Sequence, residues 1–168
     1  MKKQNGYSVI EIIVYIAIFA FFSITVLKSY TAVLGSLRES RTDRDLLESG
    51  SAIMERLSRE IRQAKSVDVV NSTLGTSPGV LQLNSTTSGG SATVMKFITS
   101  SGAINLYQDG TLVGNLLGQN ISVISLIFRR ISLTNGEAVR IEMTLQDTRS
   151  TLNRTDNFYN TIILRGSY

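Results

Sequence analysis

Apolar side chains fill nearly every position from Val9 to Leu27, and no charged residue occurs from Ile12 to Leu27. Roughly 20 consecutive apolar residues are enough to span a bilayer as a helix. Proline is absent from Tyr7 to Ala64, and glycine occurs there only at Gly35 and Gly50, so the helix is expected to continue beyond the apolar run. Further along, the pattern narrows to a stripe. Leu46, Leu47, Gly50, Ile53, Met54, Leu57, Ile61 and Ala64 recur at steps of three and four, the spacing that keeps side chains on one helix face. Arg56, Arg59, Glu60 and Arg62 fall largely on other faces. Residues 28–44 are less clearly patterned. Thr42 or Asp43 would cap a restart if the helix broke near residues 36–40.

After Ala64 the period changes from helical to alternating. Val67-Asp68-Val69-Val70 and Val80-Leu81-Gln82-Leu83 read as strands, with a turn over Gly75-Thr76-Ser77-Pro78-Gly79 between them. Ser85 to Ser91 reads as a polar loop. Thr93–Thr99 and Ala103–Tyr107 read as strands, and Asp109-Gly110 marks a hairpin returning through Thr111–Leu117. Ile121–Leu133 is the strongest β pattern. Strict alternation puts Val123, Ser125, Ile127 and Arg129 on one face and Ile124, Leu126 and Phe128 on the other. Asn135-Gly136 marks the next hairpin. Val139, Ile141, Met143 and Leu145 then alternate with polar residues, as in a strand wetted on one face. Thr148 to Asn157 reads as a polar loop and Phe158–Leu164 as the closing strand. Helix first, then hairpin-linked strands, predicts an α+β domain with an antiparallel sheet packed on the C-terminal half of a long helix.

Composition removes several kinds of chemistry. The 168 residues include no Cys and no His, so disulfides, thiolate nucleophiles and His-based acid–base or zinc chemistry have no residues to work with. No Ser-x-x-Lys motif occurs, and an enzyme is not expected. The formal charge of +4 falls to +2 if Lys2 and Lys3 are removed, too small an excess to argue for a nucleic-acid partner. Arg129, Arg130, Arg140, Arg149 and Arg154 could form a basic patch, but no aromatics are interleaved with them. Asp109, Asp147 and Asp156 are scattered, without the alternating acidic spacing of a calcium loop, so neither a metal nor another cofactor is expected.

The start of the chain carries the strongest signal. Lys2 and Lys3 precede Gly6-Tyr7, Glu11 follows four residues after Tyr7, and the apolar helix leads into an amphipathic one. This arrangement resembles the N-terminus of type IV pilin-like proteins, the family of pilins and secretion pseudopilins. Tyr7 stands where Phe is commonest, and the usual mid-helix proline is missing. Residues 53–64 also resemble the end of the long helix in J-type minor pseudopilins and PilW-like minor pilins. An ordinary secretory signal or plain anchor is the alternative. A signal needs a small-x-small cleavage site, which Ser23-Ile24-Thr25 matches poorly, and an apolar core of only about 7–15 residues.

The resemblance implies a pilin-like fold with a leader over 1–6, a membrane helix over 7–27 and a soluble domain over 28–168, helical to about residue 64. It implies that a prepilin peptidase cuts after Gly6 and that the new amine of Tyr7 is methylated. Glu11 would bring the subunit to the N-terminal amine of a neighbour. The implied partners are that peptidase, other pilins or pseudopilins in a filament or tip complex, the inner-membrane assembly platform and membrane lipid. The implied location is the cytoplasmic membrane as a single-pass protein with its domain outside, then a type IV pilus or type II secretion pseudopilus. A DNA- or surface-binding tip pilin is the second reading.

Overall fold

The computed structural model describes residues 9–87, 89–133, 136–149 and 154–165. The chain divides into two compact units, residues 1–41 and 42–168. One helix, α1 (Val9–Gln63), accounts for all the described structure of the first unit and opens the second. The helix continues as expected, without a break near residues 36–40. Ser36-Leu37-Arg38-Glu39-Ser40 contains no Pro or Gly, and Thr42 and Asp43 are helical rather than capping residues.

In the second unit, α1 buries Leu46, Gly50, Ile53, Met54, Leu57 and Ile61, and Ala64 just beyond its end is also fully buried. Leu47 is the exception in the expected stripe, being 51% exposed. At about 100° per residue it falls on the margin of the arc that the other members define. The last turn carries Arg62, a cation suited to the negative end of the helix dipole. The chain then leaves for a sheet through a bond from Lys65 N–H to the Asn84 carbonyl (2.8 Å).

Among the described residues eight strands follow, divided between two antiparallel sheets rather than gathered in one. The first is a meander of β1 (Ser66–Val67), β2 (Val80–Thr86), β3 (Ala92–Ser100), β4 (Ala103–Gln108) and β5 (Thr111–Asn115). The second is β6 (Ile121–Leu133), β7 (Gly136–Asp147) and β8 (Thr155–Ile163). Inward-facing Leu81, Leu83, Phe97, Ile104 and Leu106 from the first sheet join Leu126, Phe128, Ile141, Met143 and Leu145 from the second. Together with the α1 stripe they form one core. Each such side chain contributes about 1.5–3 kcal/mol on burial.

The segment before β2 ties the sheets together. Gly75 N–H donates to the Phe128 carbonyl and Gly79 N–H to the Leu126 carbonyl, both at 2.8 Å. A Cβ at Gly79 would lie 2.7 Å from the Leu126 carbonyl oxygen, so only glycine fits this approach of two backbones.

Several strand limits differ from the sequence expectation, each for a local reason. Val67–Val70 is not a strand beyond Val67. The Asp68 carboxylate instead accepts the backbone N–H groups of Val70 (3.1 Å) and Asn71 (3.2 Å) and turns the chain. The polar loop begins only after Thr86, because Ser85 and Thr86 continue the ladder opposite Thr93 and Ala92. Within that loop, Ser88 lies outside the described residues. Strand β5 ends at Asn115, whose side-chain oxygen accepts Leu117 N–H (2.9 Å) and bends the chain.

Strand β6 departs from strict alternation at a bulge. Val123 faces Leu145 and Ser125 faces Thr144, which leaves Ile124 as the extra residue. Val123 is therefore buried with Leu126 and Phe128, while Ile124 is 52% exposed. Strand β8 begins at Thr155, inside the expected polar loop, since Asp156 and Asn157 pair with Leu145 and Thr144. Their polarity reflects an edge strand. Asn135, expected with Gly136 in the hairpin turn, and the loop residues 150–153 lie outside the described residues. The Asp109-Gly110 turn is as expected, with φ of 50° and 81°.

Candidate functional site

In the N-terminal unit, α1 presents its apolar side chains outward. Phe19 is 71% and Phe21 75% exposed, and none of the most apolar window is buried within the molecule. The helix is long and apolar enough to cross a membrane. The polar side chains within its apolar stretch bond within the helix. The Tyr15 hydroxyl donates to Glu11 Oε1 (2.8 Å), Ser23 Oγ to the Phe19 carbonyl (2.8 Å) and Thr25 Oγ1 to the Phe21 carbonyl (3.0 Å). Such internal satisfaction is what an apolar solvent demands of a hydroxyl. Glu11 sits in the first turn, where the helix dipole favours a negative charge. Gly6 and Tyr7, the expected cleavage and methylation positions, lie outside the described residues.

In the second unit the five arginines that spacing suggested as a basic patch are matched to acids. Arg129 and Arg140 both reach Glu142 Oε1 at 3.1 Å. Arg130 donates to Glu137 through Nε (3.1 Å) and through Nη2. Arg149 bridges Asp147 (2.8 Å) and Asp45 (2.7 Å), and Arg154 lies 4.0 Å from Asp43. The hydrogen bond that Arg149 donates to Asp147, then the one it donates to Asp45, pushes its pKa further above its already high ordinary value. The residues that spacing suggested as a basic patch therefore carry their own counter-charges.

No family model, curated protein or solved structure matches this chain.

The loop acids do not converge either. Among the described residues no three of Asp, Glu, His or Cys are placed to hold a metal ion. Asp109 instead ties the β4–β5 turn to β3, accepting Thr93 Oγ1 (2.9 Å) and Val94 N–H (2.8 Å). Asp147 is fully buried and held by Arg149, which makes it a structural carboxylate rather than a solvated turn residue. Asp156 accepts the N–H of the next residue, Asn157.

Two further acids, not singled out by the sequence, fasten the start of the first sheet. Asp68 accepts Asn71 Nδ2 (2.8 Å) and Gln82 Nε2 (2.9 Å) besides the two backbone groups, and the Asn71 side chain does most to lower its pKa. Glu137 Oε2 accepts Val67 N–H (3.0 Å), while its other oxygen holds Arg130. The Arg130 hydrogen bond is the main reason that its carboxyl stays below the ordinary glutamate range. The Asp68–Gln82 and Glu137–Val67 bonds join residues 14 and 70 positions apart, so no local motif announces them. Tyr15 was also missed, although a tyrosine four residues after Glu11 is legible as an i, i+4 pair.

Proposed function

We propose that this chain is a type IV pilin-like subunit of the minor pilin or pseudopilin kind. It is inserted once in the cytoplasmic membrane with the sheet domain outside, cut after Gly6 by a prepilin peptidase, and methylated at the amine of Tyr7. It is then assembled through its N-terminal helix into a type IV pilus or type II secretion pseudopilus, in initiation or at the tip. The work is structural, and no catalysis is assigned to it.

The observation that carries this reading is the division of labour along α1. Its first part is apolar and unburied around one carboxylate, and its last part is the spine of an antiparallel α+β core. A charge within an apolar span is costly and calls for a compensating group. A neighbouring subunit's N-terminal ammonium at the same depth is such a group, and lateral packing of apolar helices supplies the rest of the association. The DNA-binding alternative draws no support from the domain, whose candidate arginines are paired with acids.

Intact-mass measurement of the protein from its native membrane tests the proposal. The expected species begins at Tyr7 and carries one methyl group, and Gly6→Leu accumulates the uncut precursor. A native protein that retains Met1 overturns the reading.

A further inference from the structure

Resting on that assembly reading, we infer that Tyr15 is a positioning residue. It holds the Glu11 carboxylate for a neighbouring subunit's ammonium and away from the chain's own. Tyr15 lies one helical turn after Glu11, on the same face, and its hydroxyl donates to Glu11 Oε1 at 2.8 Å. Among the described residues, Oε2 accepts no hydrogen bond, so one lone-pair-bearing edge of the carboxylate stays open to a partner.

The sequence positions give the contact its direction. The amine created by cleavage after Gly6 belongs to Tyr7, four residues before Glu11, whereas Tyr15 lies four residues after it. Side chains on a helix lean toward its N-terminus, so a glutamate left to itself reaches back toward the interface and its own amine. The Tyr15 hydroxyl opposes that reach. It fixes the carboxylate beside the second turn, at a depth where a neighbour displaced along the helix axis can supply the cation.

The chemistry of the donor matters as much as its place. A phenol hydroxyl is neutral, so it satisfies one carboxylate oxygen without cancelling the charge. A lysine or arginine at position 15 would complete the ion pair within the chain and compete with the incoming amine. Tyrosine therefore lowers the cost of keeping the unassembled subunit in lipid while preserving the attraction that assembly uses.

The test uses the full-length protein in its own membrane, with four forms: wild type, Glu11→Ala, Tyr15→Phe and Tyr15→Leu. Cleavage is followed by mass and incorporation by immunoblot of sheared filaments. Tyr15→Phe and Tyr15→Leu are expected to be cut normally and to enter filaments roughly tenfold less than wild type, the scale of one hydrogen bond to a charged group. Infrared spectra of the unassembled protein in detergent give the second readout. The carboxylate stretch identified by its loss in Glu11→Ala is expected to shift in Tyr15→Phe.

The outcomes separate the two ideas. Normal incorporation of Glu11→Ala overturns the assembly reading itself. A defective Glu11→Ala beside a wild-type Tyr15→Phe overturns only the positioning role. So does a carboxylate band that Tyr15→Phe leaves unmoved. A defect in Tyr15→Leu alone assigns Tyr15 to ring packing and likewise overturns the inference.

Discussion

Substituting Gly50 by alanine tests how closely β8 lies on α1. A Cβ built at Gly50 would stand 2.1 Å from Phe158 Cζ and 2.4 and 2.5 Å from the two Cε atoms, far inside contact distance. The ring cannot stay where it is. Phe158 is partly buried against the core, and displacing such a packed aromatic costs about 1–3 kcal/mol. Alanine recovers up to about 1 kcal/mol of helix propensity over glycine. The net loss is therefore about 1 kcal/mol and at most about 2, which for a typical urea dependence moves the unfolding midpoint down by roughly 0.5 M and at most about 1 M. The full-length protein in detergent, unfolded in urea and followed by circular dichroism, provides the assay. The decisive comparison is with the Phe158→Ala background. There the obstructing ring is gone, so Gly50→Ala should reverse sign and stabilise by up to about 1 kcal/mol. Equal destabilisation in both backgrounds, or no loss in the wild-type background, would refute the claim that the ring and the missing Cβ share one space.

The same assay reports on three other sites. Gly79→Ala should cost at least as much as Gly50→Ala, because its Cβ meets a strand carbonyl at 2.7 Å rather than a side chain that can swing away; a neutral result would contradict the close approach of β6. Arg149→Met should destabilise by about 1–3 kcal/mol, since it removes the guanidinium from the fully buried Asp147 carboxylate; an unchanged midpoint would show that the pair contributes nothing. Glu137 has a folded pKa below its unfolded one, so its contribution is complete above the unfolded value of about 4.3 and is lost as pH falls through the folded value. Glu137→Gln should accordingly lower stability near neutrality and flatten its fall below about pH 4–5. A parallel acid limb in the two proteins would remove Glu137 as its source.

How much of this was legible in the chain depended on the range of the interaction. The 3.6-residue stripe of α1 and the alternation of β7 are local and repeated, and both are found in the structure almost residue for residue. The Asp109-Gly110 turn was legible because two adjacent residues with positive φ suffice to make it. The failures share a cause. At Ile124 one inserted residue reverses which side of β6 faces the core, and a two-residue period has no means of announcing that slip. At Asp68 a β-branched run was overridden by one carboxylate that caps two backbone amides. At β8 the polar residues of an exposed edge looked like loop. The joining of the two sheets depends on backbone bonds from Gly75 and Gly79 to β6, residues about 50 positions away, and no window of sequence contains both partners.

The distribution of matched charge says where association would lower the free energy most. In the sheet domain Arg129, Arg130, Arg140, Arg149 and Arg154 each face a carboxylate. A partner using those arginines must break existing pairs, and its gain is the difference between two similar interactions. Glu11 is placed differently. Its donor in the helix is the neutral Tyr15 hydroxyl, and the side chains around it are apolar and exposed. In a membrane the carboxylate retains most of its desolvation cost under those conditions, and among the described residues a cation arriving at the same depth meets no competing ion pair. The same pairing across water-exposed surfaces is worth at most about 1 kcal/mol. An apolar helix carrying one acid near its start is thus poorly suited to life as an isolated anchor and well suited to a bundle whose members each bring an amine. That difference, rather than any surface of the sheets, is what directs the proposed function to the first turns of α1.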